Sequence, residues 1–233
     1  MGAMLIFRDC WAYKEKICDN FEELNASLKK NILEFENNRE DIGTIKVAPH
    51  LKNHLDEGPA RLNYFEQEPN DTTIIENLIK DHVRNAVLNV FDNIYPEVYS
   101  DMTELKNVCD NLNTRISDSW YHITSYGGYH DYHTHDGSAL SGIYYVSAGE
   151  ADRRQGFNRF YKPWSVGDHN LYGPLGAMMV DNIDSIPKDG DILIFPAFLP
   201  HSAITYLGKQ RRIVLGFNIE FTPEKEWFFD KSR

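Results

Sequence analysis

Tyr-His-Asp-Tyr-His-Thr-His-Asp, at residues 129–136, runs almost directly into Ser-Ala-Leu-Ser-Gly-Ile-Tyr-Tyr-Val at residues 138–146. The first stretch places three imidazoles and two carboxylates within seven residues. The second has the β-branched and aromatic side chains that are typical of a buried strand. Imidazole and carboxylate groups are ligands for divalent metals. The pattern therefore predicts a metal site at the mouth of a strand.

The hydrophobic pattern changes its period along the chain of 233 residues. Apolar residues recur at helical spacing in residues 21–35 and 75–94, whereas after Arg115 they follow the two-residue period of strands. Short strands are predicted at residues 116–126, 141–146, 158–161, 191–195 and 211–221. This order predicts an α+β domain, mainly β in its core, with antiparallel sheets forming a sandwich or jelly roll. We expect a single domain over residues 1–233, with a mainly helical flank at 5–112 and the catalytic core at 115–222.

Charge and cysteine content limit the partners that we expect. The formal net charge of −11 argues against nucleic acid, whose phosphates require a basic face. No apolar run approaches the roughly 18 residues of a membrane-spanning helix, so no membrane partner is expected. Three cysteines without a CxxC pair indicate reduced thiols and a cytoplasmic location. The sequence leaves the oligomeric state open, with a homodimer among the options.

Three histidines and an arginine form the predicted site. His133 and His135 lie two residues apart, so on extended chain their side chains point to the same face. His201 follows an apolar strand and a proline-constrained turn and is a candidate third ligand. Arg212 opens the last strand, where a buried guanidinium is costly unless it binds an anion such as a carboxylate.

This set resembles the 2-oxoglutarate/Fe(II)-dependent oxygenases, which have H-x-D/E…H ligands and a downstream Arg or Lys. It is most similar to a bacterial and phage branch with a Trp-containing strand, H-x-H-P-x-S, S-G-x-Y-Y, G-D-x-x-x-F-P followed by His, and R-x-S-x-S-F-N. The matching segments span roughly residues 117–221 and are Trp120, residues 133–138, 141–145, 190–196 with His201, and 212–218.

The resemblance implies a double-stranded β-helix of the jelly-roll, cupin-like type, with Fe(II), 2-oxoglutarate and O2 as cofactor and cosubstrates. It implies a dioxygenase, usually a hydroxylase, that releases succinate and CO2 while oxidising a small molecule or a peptidyl amino-acid side chain. The arginine at position 212 would bind the distal carboxylate of 2-oxoglutarate.

The chain departs from the usual family pattern at the third ligand. Where most members have a carboxylate, this chain has His135. The three histidines 133, 135 and 201 are the preferred metal ligands. In the alternative, Asp136 or Asp131 completes a 2-His-1-carboxylate triad and one histidine lies outside the coordination sphere.

A second departure concerns the cosubstrate. The expected R-x-S reads Arg212-Ile-Val214, so a hydroxyl for the 2-oxoglutarate carboxylate is missing from this strand. Tyr145 or Tyr126 is a candidate replacement, and Asn218 is a further candidate pocket residue.

Two other functions fit the same residues. One is a cupin-like metal enzyme that does not use 2-oxoglutarate, and the other is a non-enzymatic jelly-roll module with a structural metal. Residues 148–178 form an aromatic, glycine-bearing insertion that fits a substrate lid and a packed surface loop equally well.

Overall fold

The computed structural model describes residues 3–7, 10–38, 56–57, 64–67, 69–93, 103, 107, 109, 113–135, 137–162 and 182–222. The helices are α1 (Phe21–Asn38), α2 (Tyr64–Gln67) and α3 (Pro69–Asn93). The strands are β1 (Ala3–Phe7), β2 (Cys10–Lys16), β3 (Asp56–Glu57), β4 (Asn113–Thr124), β5 (His130–His133), β6 (Leu140–Ser147), β7 (Asn158–Tyr161), β8 (Asn182–Ser185), β9 (Asp191–Pro196), β10 (His201–Ala203) and β11 (Arg212–Thr222).

The strands form two antiparallel sheets. The larger sheet has the order β1-β2-β9-β6-β11-β4-β3, and the smaller has the order β5-β10-β7-β8. Strands that are distant in sequence are neighbours in both sheets, which is the connectivity of a jelly roll rather than of a simple meander. The predicted fold class, a mainly β core of jelly-roll type with flanking helices, is confirmed.

An apolar layer lies between the two sheets and is called here the intersheet core. Phe160 of the smaller sheet packs edge-on against Phe195 of the larger sheet, with ring centroids 4.9 Å apart. Side chains alternate along each strand, so Val214 and Tyr145, which are paired across β11 and β6, both point into this layer. The other members of the intersheet core are Cys10, Ala12, Leu193 and Leu199.

The opposite face of the larger sheet is covered by the helices, and the layer between them is the helix-side core. Leu28 and Ile32 of α1, and Ile75, Ile79 and Val83 of α3, are spaced three or four residues apart and are fully buried. That spacing places them on one stripe of each helix, so the charged residues of the helices face solvent. Tyr121, Tyr144 and Ile194 meet them from the sheet.

The N-terminal segment contributes more strand than its sequence suggested. β1 pairs with β2, and β2 joins the larger sheet through its pairing with β9, although no strand was predicted at residues 10–16. The division into a helical flank and a β core stays a prediction. Three strands that precede residue 112, namely β1, β2 and β3, belong to the same sheet as strands of the core. Within the described residues, no helix combines the length and the apolar character needed to cross a membrane.

Candidate metal centre

The three predicted histidines lie together on the smaller sheet. His133 ends β5 and is paired directly with His201, which begins β10. His135 follows β5, and its backbone N–H donates to the carbonyl of Ala197 at 2.9 Å. The turn after β9 therefore fixes the main chain that carries the second ligand candidate.

The imidazole nitrogens of His133, His135 and His201 converge, with one ligand atom from each lying within 4.8 Å of the others. Nε2 of His135 is 3.4 Å from Nε2 of His201. Two imidazoles bound to one metal at about 2.1 Å, at a right angle, have nitrogens about 3 Å apart. The separation therefore suits two ligands on adjacent positions of one ion.

Backbone carbonyls fix which nitrogen of two rings faces the centre. Nδ1 of His133 donates to the carbonyl oxygen of Asp131 at 2.7 Å, and Nδ1 of His201 donates to that of Leu199 at 3.0 Å. A neutral imidazole with its proton on Nδ1 presents a lone pair at Nε2. In both rings this lone pair is the group available for a metal.

Burial favours the neutral form of these rings. It lowers the pKa of His133, and it lowers the pKa of His201 well below its usual value, with the neighbouring His133 and His135 adding to the effect. Metal binding requires the deprotonated nitrogen, so this environment favours a metal over a proton.

The carboxylate alternatives have different positions. Asp131 contacts His133 through its backbone carbonyl, and it is not a member of the converging group of ligand atoms. Asp136 lies outside the described residues. The three-histidine assignment and its carboxylate alternatives stay predictions, with the described geometry favouring the histidines.

Arg212 is buried beside the triad on β11. Its Nη2 donates to Oδ1 of Asn158 at 2.9 Å, and the hydroxyl of Tyr145 donates to the same oxygen at 2.5 Å. Nε of Arg212 finds no hydrogen-bond partner among the described residues. A buried guanidinium beside neutral groups is suited to bind an anion, and the cosubstrate role of Arg212 stays a prediction.

The environment of Tyr145 keeps its hydroxyl protonated. Burial raises the pKa of this phenol to about 12, despite the opposing effect of Arg212. A protonated phenol can donate a hydrogen bond, as the missing hydroxyl of the R-x-S motif would. The contact geometry thus favours Tyr145 for that role.

The other two cofactor-binding candidates lie away from this cluster. Tyr126 is 65% exposed, and Asn218 accepts a hydrogen bond from Ser141 at 2.8 Å. Neither side chain lines the cavity that contains the triad and Arg212; Tyr145 does not line it either, but its hydroxyl contacts Asn158, which does. A cofactor-binding role for Tyr126 and Asn218 stays a prediction that these contacts do not support.

The same cavity is also lined by residues that were not predicted as metal ligands or cosubstrate contacts. They are Trp120, His122, Thr124, Tyr129, His130 and Asn158. Residues 120, 122 and 124 alternate along β4, so the strand period combined with the inward Arg212 could have identified them. Asn158 gave no comparable signal, because its role depends on a pairing between distant strands.

His130 faces the cavity because of a β-bulge. Its ring stacks on His133, with centroids 4.4 Å apart and planes at 25°. On regular extended chain, residues 130 and 133 would point to opposite faces. Here His201 pairs with His133 and Ala203 pairs with His130, so two residues of β5 oppose one of β10, and the extra residue returns both rings to one face.

The insertion at 148–178 is described only in its first part, which includes β7, and residues 163–178 lie outside the described residues. In β7, the hydroxyl of Tyr161 is 3.0 Å from that of Ser202, and its ring contacts the exposed Tyr132 at 5.0 Å between centroids. These contacts join the start of the insertion to the strands that carry the histidines.

Comparisons with known proteins agree with this site. Residues 118–218 match the family model described as "Putative 2OG-Fe(II) oxygenase". No curated protein sequence matches the chain.

Solved structures of low sequence identity share the fold. A Pseudomonas putida prolyl-4-hydroxylase has a TM-score of 0.52 at 12% identity, with 90% of this chain and 92% of that chain covered. SnoN, a non-heme alpha-ketoglutarate-dependent epimerase from nogalamycin biosynthesis, has a TM-score of 0.53 at 14% identity, with 89% and 76% covered. A second SnoN structure, with Fe3+, alpha-ketoglutarate and nogalamycin RO, has a TM-score of 0.53 at 12% identity, with 90% and 78% covered. The match to the family model covers residues 118–218, the segment that carries the histidine triad and Arg212.

Proposed function

We propose that this protein is a non-haem Fe(II)/2-oxoglutarate-dependent dioxygenase in which His133, His135 and His201 bind iron and Arg212 binds the distal carboxylate of 2-oxoglutarate. The reaction is the hydroxylation of a small molecule or of an amino-acid side chain, with release of succinate and CO2. The observation that carries the proposal is the convergence of three imidazole nitrogens beside a buried arginine.

The residues fit the metal. His201 has its Nδ1 proton engaged by a carbonyl, so its Nε2 presents a lone pair, and Nε2 of His135 lies 3.4 Å away. A cation bound between the three imidazoles would be coordinated by one nitrogen from each of them. Three imidazoles leave open positions on a six-coordinate ion, which oxygenases of this class need for cosubstrate and O2.

The residues also fit the cosubstrate. The guanidinium of Arg212 is positioned on one side by Asn158 and leaves its Nε for an incoming acceptor. The Tyr145 hydroxyl lies on the same asparagine oxygen and is able to turn its proton toward a carboxylate. A fork-shaped guanidinium and a phenol together provide the donors that a buried carboxylate requires.

When bound, the iron activates O2 and couples the oxidative decarboxylation of 2-oxoglutarate to oxidation of a substrate C–H bond. The protein's own contribution is positional. The triad would hold the ion, and Arg212 and Tyr145 would bind the far end of the cosubstrate. The apolar wall of Phe195 and Val214 excludes water from the space between them.

The substrate class and the cellular location are part of this proposal. The structural neighbours include a prolyl-4-hydroxylase and an enzyme solved with nogalamycin RO, which supports a peptidyl or small-molecule substrate. The sequence has three cysteines and no CxxC pair, which supports a cytoplasmic location.

Anaerobic titration with Fe(II) and then 2-oxoglutarate tests the proposal. We expect the weak visible charge-transfer band of the enzyme class, and succinate formation on admission of O2.

Arg212→Ala should raise the 2-oxoglutarate concentration needed for half-saturation by on the order of tenfold or more, because a buried charge pair loses one partner. Arg212→Lys, which keeps the charge but not the fork geometry, is the matched control.

The two alternative functions give different results in the same experiment. A cupin-like enzyme without 2-oxoglutarate would bind Fe(II) but show no charge-transfer band and no dependence on Arg212. A structural site would hold zinc tightly in a closed tetrahedral shell, with no open position. Absence of both the band and succinate formation would exclude the proposed function.

A further inference from the structure

The three ligand candidates are held in different ways. His133 and His201 each have a ring proton engaged by a carbonyl of the residue two positions earlier. His135 lies beyond the end of β5, and its backbone is fixed by Ala197. Aromatic rings contact its imidazole directly.

Trp120 provides that contact from the larger sheet. Its indole stacks on the imidazole of His135, with centroids 5.5 Å apart and planes at 19°. The ring of His135 is also nearly parallel to that of His201, at 9°. Planar rings that stack in this way restrict rotation of the smaller ring, and offset stacking stabilises aromatic pairs beyond their apolar contact.

Gly216 makes room for the indole. It is paired with Trp120 across β11 and β4, and a Cβ at position 216 would lie 2.5 Å from indole Nε1 and closer still to Cε2. Any larger residue at position 216 would push the indole off the strand. The absent side chain at 216 therefore lets the indole lie over β11 and reach the histidine.

We propose that Trp120, seated on Gly216, is a positioning residue that holds the imidazole of His135 in the orientation needed for metal binding. The inference rests on the proposed function, since it assigns His135 as a ligand. It explains how a ligand carried by a loop is oriented as firmly as the two ligands that belong to strands.

Three variants test the role of the indole, with Co(II) as the metal probe. Trp120→Leu removes the flat ring, and Trp120→Phe keeps one. Trp11→Leu removes another buried indole, from the helix-side core and away from the cavity. For each we measure the Co(II) dissociation constant, the ligand-field absorption of bound Co(II), and the unfolding of the metal-free protein.

Trp120→Leu should raise the Co(II) dissociation constant by about tenfold or more, as loss of a group that orients a ligand does. Its Co(II) absorption spectrum should change, because His135 is free to rotate. Trp120→Phe should retain the spectrum and stay within about threefold of the wild-type affinity. Trp11→Leu should lower the stability of the metal-free protein and leave Co(II) affinity and spectrum unchanged.

Gly216→Ala is an independent test, because it leaves the indole intact and displaces it. It should weaken Co(II) binding in the same direction as Trp120→Leu. Unchanged affinity and spectrum in Trp120→Leu, with only a loss of stability, would overturn the inference. Failure of the wild-type protein to bind Co(II) would instead overturn the proposed function, so the two results are distinguishable.

Discussion

Asn158 connects the two side chains that we assign to the cosubstrate. Its Oδ1 accepts hydrogen bonds from both Arg212 and Tyr145 and is itself almost fully buried. A neutral amide at this point orients the guanidinium without cancelling its charge. Because Asn158 is an amide and not a carboxylate, the positive charge of Arg212 stays available to bind an anion.

Asn158→Asp should therefore block the cosubstrate more than it disturbs the metal. The new carboxylate would pair with Arg212 and compete with 2-oxoglutarate, raising the half-saturating 2-oxoglutarate concentration by on the order of tenfold or more. Fe(II) affinity should stay within about threefold of wild type. The measurement is the anaerobic charge-transfer titration, with Asn158→Ala as the control that removes the amide without adding a charge. Equal 2-oxoglutarate affinity in wild type and Asn158→Asp would contradict the assignment of Arg212.

Individual residues were predictable where a local pattern carried the information. The two-residue spacing of His133 and His135 and the position of His201 after a strand were sufficient to single them out, and the fold brings these three rings together. His130 and Asn158 were not assigned to the site. The position of His130 depends on a β-bulge, and that of Asn158 depends on the pairing of β7 with β10.

At the scale of elements, strands that form a mostly apolar run were predicted well. The segments 141–146 and 191–195 are observed as Leu140–Ser147 and Asp191–Pro196. The short strands β5, β8 and β10 were not predicted as strands. They have three or four residues each and include polar side chains, so tertiary pairing rather than propensity fixes their conformation.

The helices should contribute to stability and not to chemistry. Ile79→Ala removes a fully buried side chain of α3 from the helix-side core, and we expect a loss of about 2–5 kcal/mol in the free energy of unfolding. The Co(II) dissociation constant of the folded protein should not change, because the triad lies beyond the intersheet core. Ile74→Ala is the matched control on the same helix, since Ile74 is 59% exposed, and its effect should be within about 0.5 kcal/mol. Urea unfolding of the metal-free proteins measures the difference, and equal losses at the two positions would contradict this packing.

For the whole molecule, the change of hydrophobic period was enough to predict helices followed by a β sandwich. The joining of the N-terminal strand β2 to β9, about 180 residues later, was not predictable. A strand that pairs with one distant in sequence reveals its partner only through the folded arrangement, and the sequence of β2, Cys-Trp-Ala-Tyr-Lys-Glu-Lys, shows no sustained alternation. The order of the strands in a sheet therefore contains information that local patterns lack.

Metal binding should stabilise the entire domain, because its ligands come from β5, the loop after it and β10. With Co(II) at about 100 times its dissociation constant, the free energy of unfolding should rise by about 2.7 kcal/mol. Thermal or urea unfolding with and without the metal measures this rise, and a chelator should reverse it. His201→Ala should show no such rise, and an equal rise in that variant would place the bound metal elsewhere.

The pairing of β7 with β10 has a consequence for the dicarboxylate that fits. His201 lies opposite Phe160, whereas Asn158, which orients Arg212, lies opposite Ala203. Asn158 and the proposed ligand His201 are thus two residues apart on one ladder, about 6.6 Å along the strand, with side chains on the same face. One residue inserted in β7 between Asn158 and Phe160 would turn the Asn158 side chain to the opposite face. Arg212, which lies on β11, would then lose the amide that orients it, and the pocket should bind the dicarboxylate less tightly while the three histidines keep their positions.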